Sequence, residues 1–307
     1  MLSGVFSLLM AANFFILDSP DVALTEAAVG AGISTVLFLG ALSLIAEHEG
    51  PDTDAEHERA GSANKFTVLT VLLATLLVII YTTFDNPSMG DPNAPVQQHV
   101  APWYLKNTSA LIDVPNIVTA VLASFRGYDT LGEVFVVFTA GIGVMFLLGK
   151  KPSKPARSNN TLTNGVTVGL RHYLIPRVIG RLVVPFIMLF GLYVQFHGDY
   201  GPGGGFQAGA IIAAGMILYA LLEGEERALR VLPRRALLGL TASGALLYGG
   251  VGVFGILMGG NFLDYSVLGS SPVAGQHIGI LLIEIGVGLT VTGVLLSVFF
   301  AFAARGK

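Results

Sequence analysis

The sequence predicts an all-α fold: a polytopic membrane helix bundle of about eight transmembrane helices, plus a short interfacial or re-entrant helix. Three observations predict it. Hydrophobic residues fill 53% of the 307 positions and charged residues only 12%, with mean hydropathy +0.70; a soluble chain carries about twice that charge. Apolar runs of about 20 residues, long enough to cross a bilayer, recur along the chain. Lys and Arg gather in alternate connections between those runs.

The runs are Leu2–Leu17, Val22–Ile45, Phe66–Phe84, Tyr128–Leu148, Leu174–Phe196, Phe206–Leu222, Ala236–Met258 and Ile278–Phe302. The first is short for a span. No small-residue cleavage pattern follows it, so it reads as a retained helix rather than a signal peptide. Ile117–Phe125 is too brief to cross, and Pro115 and Asn116 before it supply helix-starting chemistry. Basic residues concentrate in Lys150–Arg171, in the connection holding Arg227, Arg230, Arg234 and Arg235, and in the tail with Arg305 and Lys307. The connection Asp85–Gly127 has only Lys106 and Arg126, and Gly259–Gln276 has none. Eight spans then place both termini in the cytoplasm of a bacterial inner-membrane protein, with the acidic loop Ala46–Asn64 also inside. Lys150–Asn164 has linker composition and divides the chain into two four-span halves.

Several chemistries are excluded or unsupported. The chain has no cysteine, so it has no disulfide and no thiolate chemistry. A net charge of −3 without a basic, aromatic stripe gives no footing for nucleic acid. No Ser-His-Asp set, redox motif or dinucleotide fingerprint occurs, so neither an enzyme active site nor a cofactor is expected. His48 and His57 lie among acidic residues, but a solvated acidic loop explains them better than a metal site.

Chemistry is expected where membrane helices carry ionisable groups, which are costly there and usually have a partner or a task. Glu26, Glu133 and Glu284 each lie about 8–10 Å into a helix that runs from outside to inside, so they share an outer layer. Asp129 sits one turn from Glu133, with Arg126 in reach of either; His277 and Glu284 share a face of the last helix. Between two spans lies Phe196-His-Gly-Asp-Tyr-Gly-Pro-Gly-Gly-Gly-Phe-Gln207. It lacks the Lys-Ser/Thr ending of a phosphate loop and reads as a tight outer hairpin. His197, Asp199, Pro202, Gly203, Gly204 and Gly205 there are candidates for lining an ion entrance. Two readings stay open: the acids form part of a Na⁺ or proton route, or they are interhelical hydrogen-bonding groups of an assembly subunit.

These stretches resemble the Mrp (Mnh) multisubunit cation/proton antiporters and the membrane arms of energy-converting hydrogenases. Asp21-Val-Ala-Leu-Thr-Glu-Ala-Ala-Val-Gly-Ala-Gly32 looks like MbhD, giving residues 1–64. Asn116-Ile-Val-Thr-Ala-Val and Arg126-Gly-Tyr-Asp-Thr-Leu-Gly-Glu133 look like MbhE, giving 65–149. After a linker at 150–164, residues 165–307 look like the B-type antiporter component, MnhB, marked by Pro-Gly-Gly-Gly-Phe and Ile283-Glu-Ile-Gly-Val287. MbhD-like units generally have three spans, so the resemblance implies one helix upstream of Met1 that this sequence lacks. It further implies a fused antiporter component working with large pump-like A- and D-type subunits, with small C-, E-, F- and G-type subunits, and with lipid, in exchanging Na⁺ for H⁺. A place in a hydrogenase-type membrane arm is the alternative.

Overall fold

The computed structural model describes residues 2–39, 65–88, 90–148 and 174–304. The acidic loop with His48 and His57, the linker Lys150–Asn164, and Arg305 and Lys307 lie outside the described residues. Two compact units emerge, residues 42–107 and the remainder. The smaller holds α3 (Lys65–Thr83), an apolar helix exposed from Phe66 onward, and most of α4 (Val100–Leu111).

The larger unit begins with α1 (Leu2–Ile16) and α2 (Pro20–Leu39). Pro20 suits a first helical turn, where its missing N–H is not needed. From Glu26 to Ile33, α2 winds as a π-helix, and α1 packs along that stretch. A short helix α5 follows, α-helical over Ile117–Thr119 and π-helical over Ala120–Phe125. Then come α6 (Gly127–Leu148), α7 (Leu174–His197), α8 (Gly205–Glu223), α9 (Glu225–Val231), α10 (Arg234–Leu257), a 3₁₀ turn Tyr265–Leu268, and α11 (Pro272–Ala303).

Among the described residues, seven helices are long and apolar enough to cross a membrane. The first expected run falls short. At 15 residues, α1 extends about 22 Å against a hydrocarbon core of about 30 Å. By contrast, α11 begins six residues before its apolar run, because Ser271 accepts from the Ala274 N–H and Pro272 fits the first turn. That extension places Gln276 and His277 on the helix.

The core forms around α11, which packs on α6, α8 and α10. Glycine permits the close approach: a Cβ on Gly209 of α8 would sit 2.8 Å from the Gly288 carbonyl of α11. Thr292 donates to the Gly209 carbonyl at 3.2 Å across the same contact. One apolar cluster joins Ala120, Ala123 and Val134 to Tyr248, Tyr265, Ile280 and Ile283.

Where α5 ends and turns into α6, the loosened backbone is held by side chains. Thr130 donates to the Leu122 carbonyl at 2.8 Å, Tyr265 to Ala123 at 3.0 Å, and Tyr248 to Gly127 at 2.7 Å. Both tyrosines are fully buried. Burial pushes the Tyr265 phenol well above its ordinary range, so it remains a hydroxyl donor. Replacing Tyr248 by Phe removes a buried hydrogen bond to the first residue of α6, at a cost of about 0.5–1.5 kcal/mol. The purified chain should therefore melt at a lower temperature, whereas Tyr193→Phe, at an exposed ring, should not change it.

Candidate functional site

The hairpin between α7 and α8 is built to approach other backbones. Gly204 has φ +113°, a conformation that favours glycine, and its N–H donates to the Val194 carbonyl at 3.0 Å to close the turn. Asn116, at the start of α5, fastens this hairpin to the rest of the unit. Its Oδ1 accepts from the Val118 and Thr119 N–H groups at 3.0 and 3.4 Å, capping α5. Its Nδ2 donates to the Gly201 and Gly198 carbonyls at 2.9 and 3.2 Å, and at 3.4 Å to Asp21 Oδ1. An amide has two N–H bonds, so the longest of these three contacts is a shared one. The Asn116 backbone N–H donates to the Asp199 carbonyl at 3.0 Å, and the Thr119 hydroxyl to Gly198 at 2.7 Å.

A cavity of about 200 Å³ opens beside this junction. Asp21 and Thr25 of α2, Thr119 of α5, Thr130 and Glu133 of α6, Gly203–Gln207 and Glu284 of α11 line it. It has room for several waters. Asp21, itself buried, accepts from the Gly203 N–H at 3.3 Å. The Glu284 carboxyl lies under the hairpin glycines: a Cβ on Gly198 or Gly204 would come within 3.0–3.1 Å of its oxygens. Alanine at either position would crowd it. Asp21 and Glu133 share the cavity with Glu284. Among the described residues, no cation lies within ion-pair distance of Glu133 or Glu284. Nor do three His, Asp or Glu side chains converge tightly enough there to chelate a metal. The arrangement is a largely apolar pocket into which three carboxyls and several oxygen donors face.

The structure brings Glu133, Glu284 and Gly203–Gly205 together in this cavity. Asp199 and His277 meet each other, Nδ1 and Oδ2 3.5 Å apart, and are not among the residues that line the cavity. Arg126 pairs with Asp129 at 2.5 Å and leaves Glu133 without it. His197 stacks on Tyr193, ring centres 4.8 Å apart, and does not line the cavity, nor does Pro202. Glu26 is not brought in either: it stands at the first residue of the π-helix, against Gly30 and facing Ser7 of α1. Asp21, five residues earlier in the same identifying stretch, takes the place in the cavity. Its position after Pro20, at a helix start, was the available signal.

A second ionic site lies at the other end of the bundle. Glu223, the last residue of α8 and nearly fully buried, accepts from Arg177 Nε and Nη2 at 3.2 Å each, and from Arg181 and Arg227. Sequence reading stops the sixth run at Leu222 and so passes this residue by. Replacing Asn116 by Ala removes the α5 cap and strands hairpin carbonyls, an expected loss of about 1–3 kcal/mol read in the melting temperature.

Comparison with known proteins identifies the lineage. Residues 175–297 match the family described as a domain related to the MnhB subunit of Na⁺/H⁺ antiporter. Residues 1–47 match the MbhD family and residues 88–164 the MbhE family, the D- and E-type components of MBH. A probable K⁺/H⁺ antiporter A/B component of Rhizobium meliloti is 26% identical over 99% of this chain, which spans 31% of that relative's length. A putative antiporter mnhB2 component of Staphylococcus aureus (strain Newman) is 33% identical over 42% of this chain and 94% of its own length. In fold, a chain of the Mrp complex from Dietzia sp. DQ12-45-1b superposes with TM-score 0.74 at 24% identity, covering 98% of this chain and 31% of that one. The chain is a multi-pass membrane protein. It belongs to the MnhB family of antiporter subunits, with MbhD and MbhE domains ahead of its MnhB domain.

Proposed function

We propose that this chain is an integral membrane component of a multisubunit Na⁺/H⁺ antiporter, and that its cavity forms part of the ion route. One observation carries the reading. Asp21, Glu133 and Glu284, from three segments far apart in sequence, converge on one space lined by hydroxyls, hairpin backbone and apolar side chains. Glu26 is the next acid along α2, about 7.5 Å further in. The exposed flanks of α1, α3, α6 and α7 are apolar and suit the large A- and D-type subunits, the small C-, E-, F- and G-type subunits, and lipid. The basic loops orient the C-terminal end toward the cytoplasm and the hairpin toward the outside; with α1 too short to cross, the expectation of a cytoplasmic N-terminus loses the eighth span it rested on. This chain supplies a passage and bracing; the relay that drives exchange belongs to the pump-like partners. A second reading, a bracing role in a related redox-driven membrane arm, draws on the matches to the MbhD and MbhE families and on the Asn116 network.

In everted vesicles holding the whole complex, Asp21→Asn and Glu284→Gln should each lower Na⁺-dependent proton exchange by roughly tenfold or more, at normal complex abundance. Glu133→Gln, at an exposed position, and Glu26→Gln, outside the cavity, should lower it less. Full exchange in all four variants would leave these acids as packing groups. For orientation, the chain's lack of cysteine allows a direct reading: a single cysteine placed within Lys150–Asn164 should be labelled only from the cytoplasmic side.

A further inference from the structure

The cluster around Glu223 holds more positive charge than its carboxylate needs. Arg177 and Arg181 stand one turn apart on α7, and Arg227 reaches back one turn from α9. Four of their N–H groups point at Glu223, out of about fifteen that three guanidiniums carry. Two positive charges are left over. Among the described residues, no second carboxylate lies within ion-pair distance of these arginines. Glu225, the nearest in sequence that forms an ion pair, bonds Arg234 instead. The unspent donors of Arg181 and Arg227 face outward, since those side chains are 52% and 45% exposed while Glu223 beneath them is 4% exposed.

Position narrows the ligand. With 24 residues, α7 is about 36 Å long, longer than a hydrocarbon core of about 30 Å, so its first turns stand at headgroup level. Along α7, next to the arginine row, Val178, Leu182 and Phe186 form an exposed apolar stripe at intervals of four residues, leading from beside the charged cluster toward mid-membrane. A guanidinium fork with an adjoining apolar stripe complements a molecule that has an anionic head and hydrocarbon chains.

We propose that Arg181 and Arg227, set in place by Glu223 and Arg177, bind the phosphate of an anionic phospholipid whose acyl chains lie along Val178, Leu182 and Phe186. The buried carboxylate acts as a template that spreads three guanidiniums into a phosphate cradle. The site is remote from the cavity and does not depend on whether that cavity conducts.

The test uses the full chain, purified and delipidated in detergent, and titrated with phosphatidylglycerol, phosphatidylcholine or inorganic phosphate. Melting temperature and lipid retained per chain are the readouts. Phosphatidylglycerol should raise the melting temperature and be retained, and neither phosphatidylcholine nor phosphate should match it. The double variant R181Q/R227Q, which keeps Arg177 for Glu223, should bind phosphatidylglycerol on the order of tenfold more weakly or worse. R235Q, at an exposed arginine outside the cluster, should titrate like the parent chain. Equal responses to both lipids, or to phosphate and phosphatidylglycerol, would overturn the proposal using the parent chain alone, whatever the fate of the variants. Unweakened binding in the double variant, or equal weakening in R235Q, would overturn it too.

Discussion

A helix interrupted at membrane depth releases backbone N–H and C=O groups that lipid cannot satisfy, so the protein must supply each partner. That constraint organises the junction of α5 with the α7–α8 hairpin. The two irregular segments answer one another: Asn116 gives its amide to hairpin carbonyls and takes the first N–H groups of α5. At the other end of α5, Thr130 and Tyr265 take two loosened carbonyls, those of Leu122 and Ala123, and Tyr248 bonds the Gly127 carbonyl where α6 begins. Neither segment would be stable at depth alone. Because α5 belongs to the MbhE domain and the hairpin to the MnhB domain, the satisfied backbone is also the seam between them.

The cavity follows from this seam. A glycine hairpin packed against a short π-wound helix leaves space that straight helices would fill, and the glycines at 203–205 keep side chains out of it. The Asp21 carboxylate is drawn to the Gly203 N–H and the Asn116 amide, which positions the start of α2 against the hairpin. Polar satisfaction of the backbone and clustering of the acids thus have one geometric cause.

Much of the architecture was legible in one dimension. Span lengths, the break before Ile117, the outer-hairpin glycines and the Arg126–Asp129 neighbourhood all express local rules of hydropathy, capping and helical spacing. What escaped was long-range pairing. Nothing near Asp21 announces that Asn116, 95 residues away, will reach it, so helical depth alone favoured Glu26. The π-helical winding from Glu26 alters the facing of the residues after it, which regular 3.6-residue spacing does not anticipate. Glu223 was missed for a similar reason: Arg177 and Arg181 come from a helix more than 40 residues upstream.

The two ionic centres show how partner number decides what a membrane carboxylate can do. At about 4 Å and an effective dielectric of about 20, one cation holds a carboxylate by about 4 kcal/mol. Three guanidiniums pair with Glu223, an arrangement suited to holding neighbours in place. In the cavity the sign of the design is reversed. Arg126, the basic residue nearest in sequence to Glu133, is already taken by Asp129, and Asp21 receives only neutral N–H donors. Glu284 faces glycines and other acids. A carboxyl without a fixed counter-charge gains most from a mobile one, whether proton or metal cation. Withholding arginine is therefore as much a structural feature of the cavity as supplying it is at the opposite end.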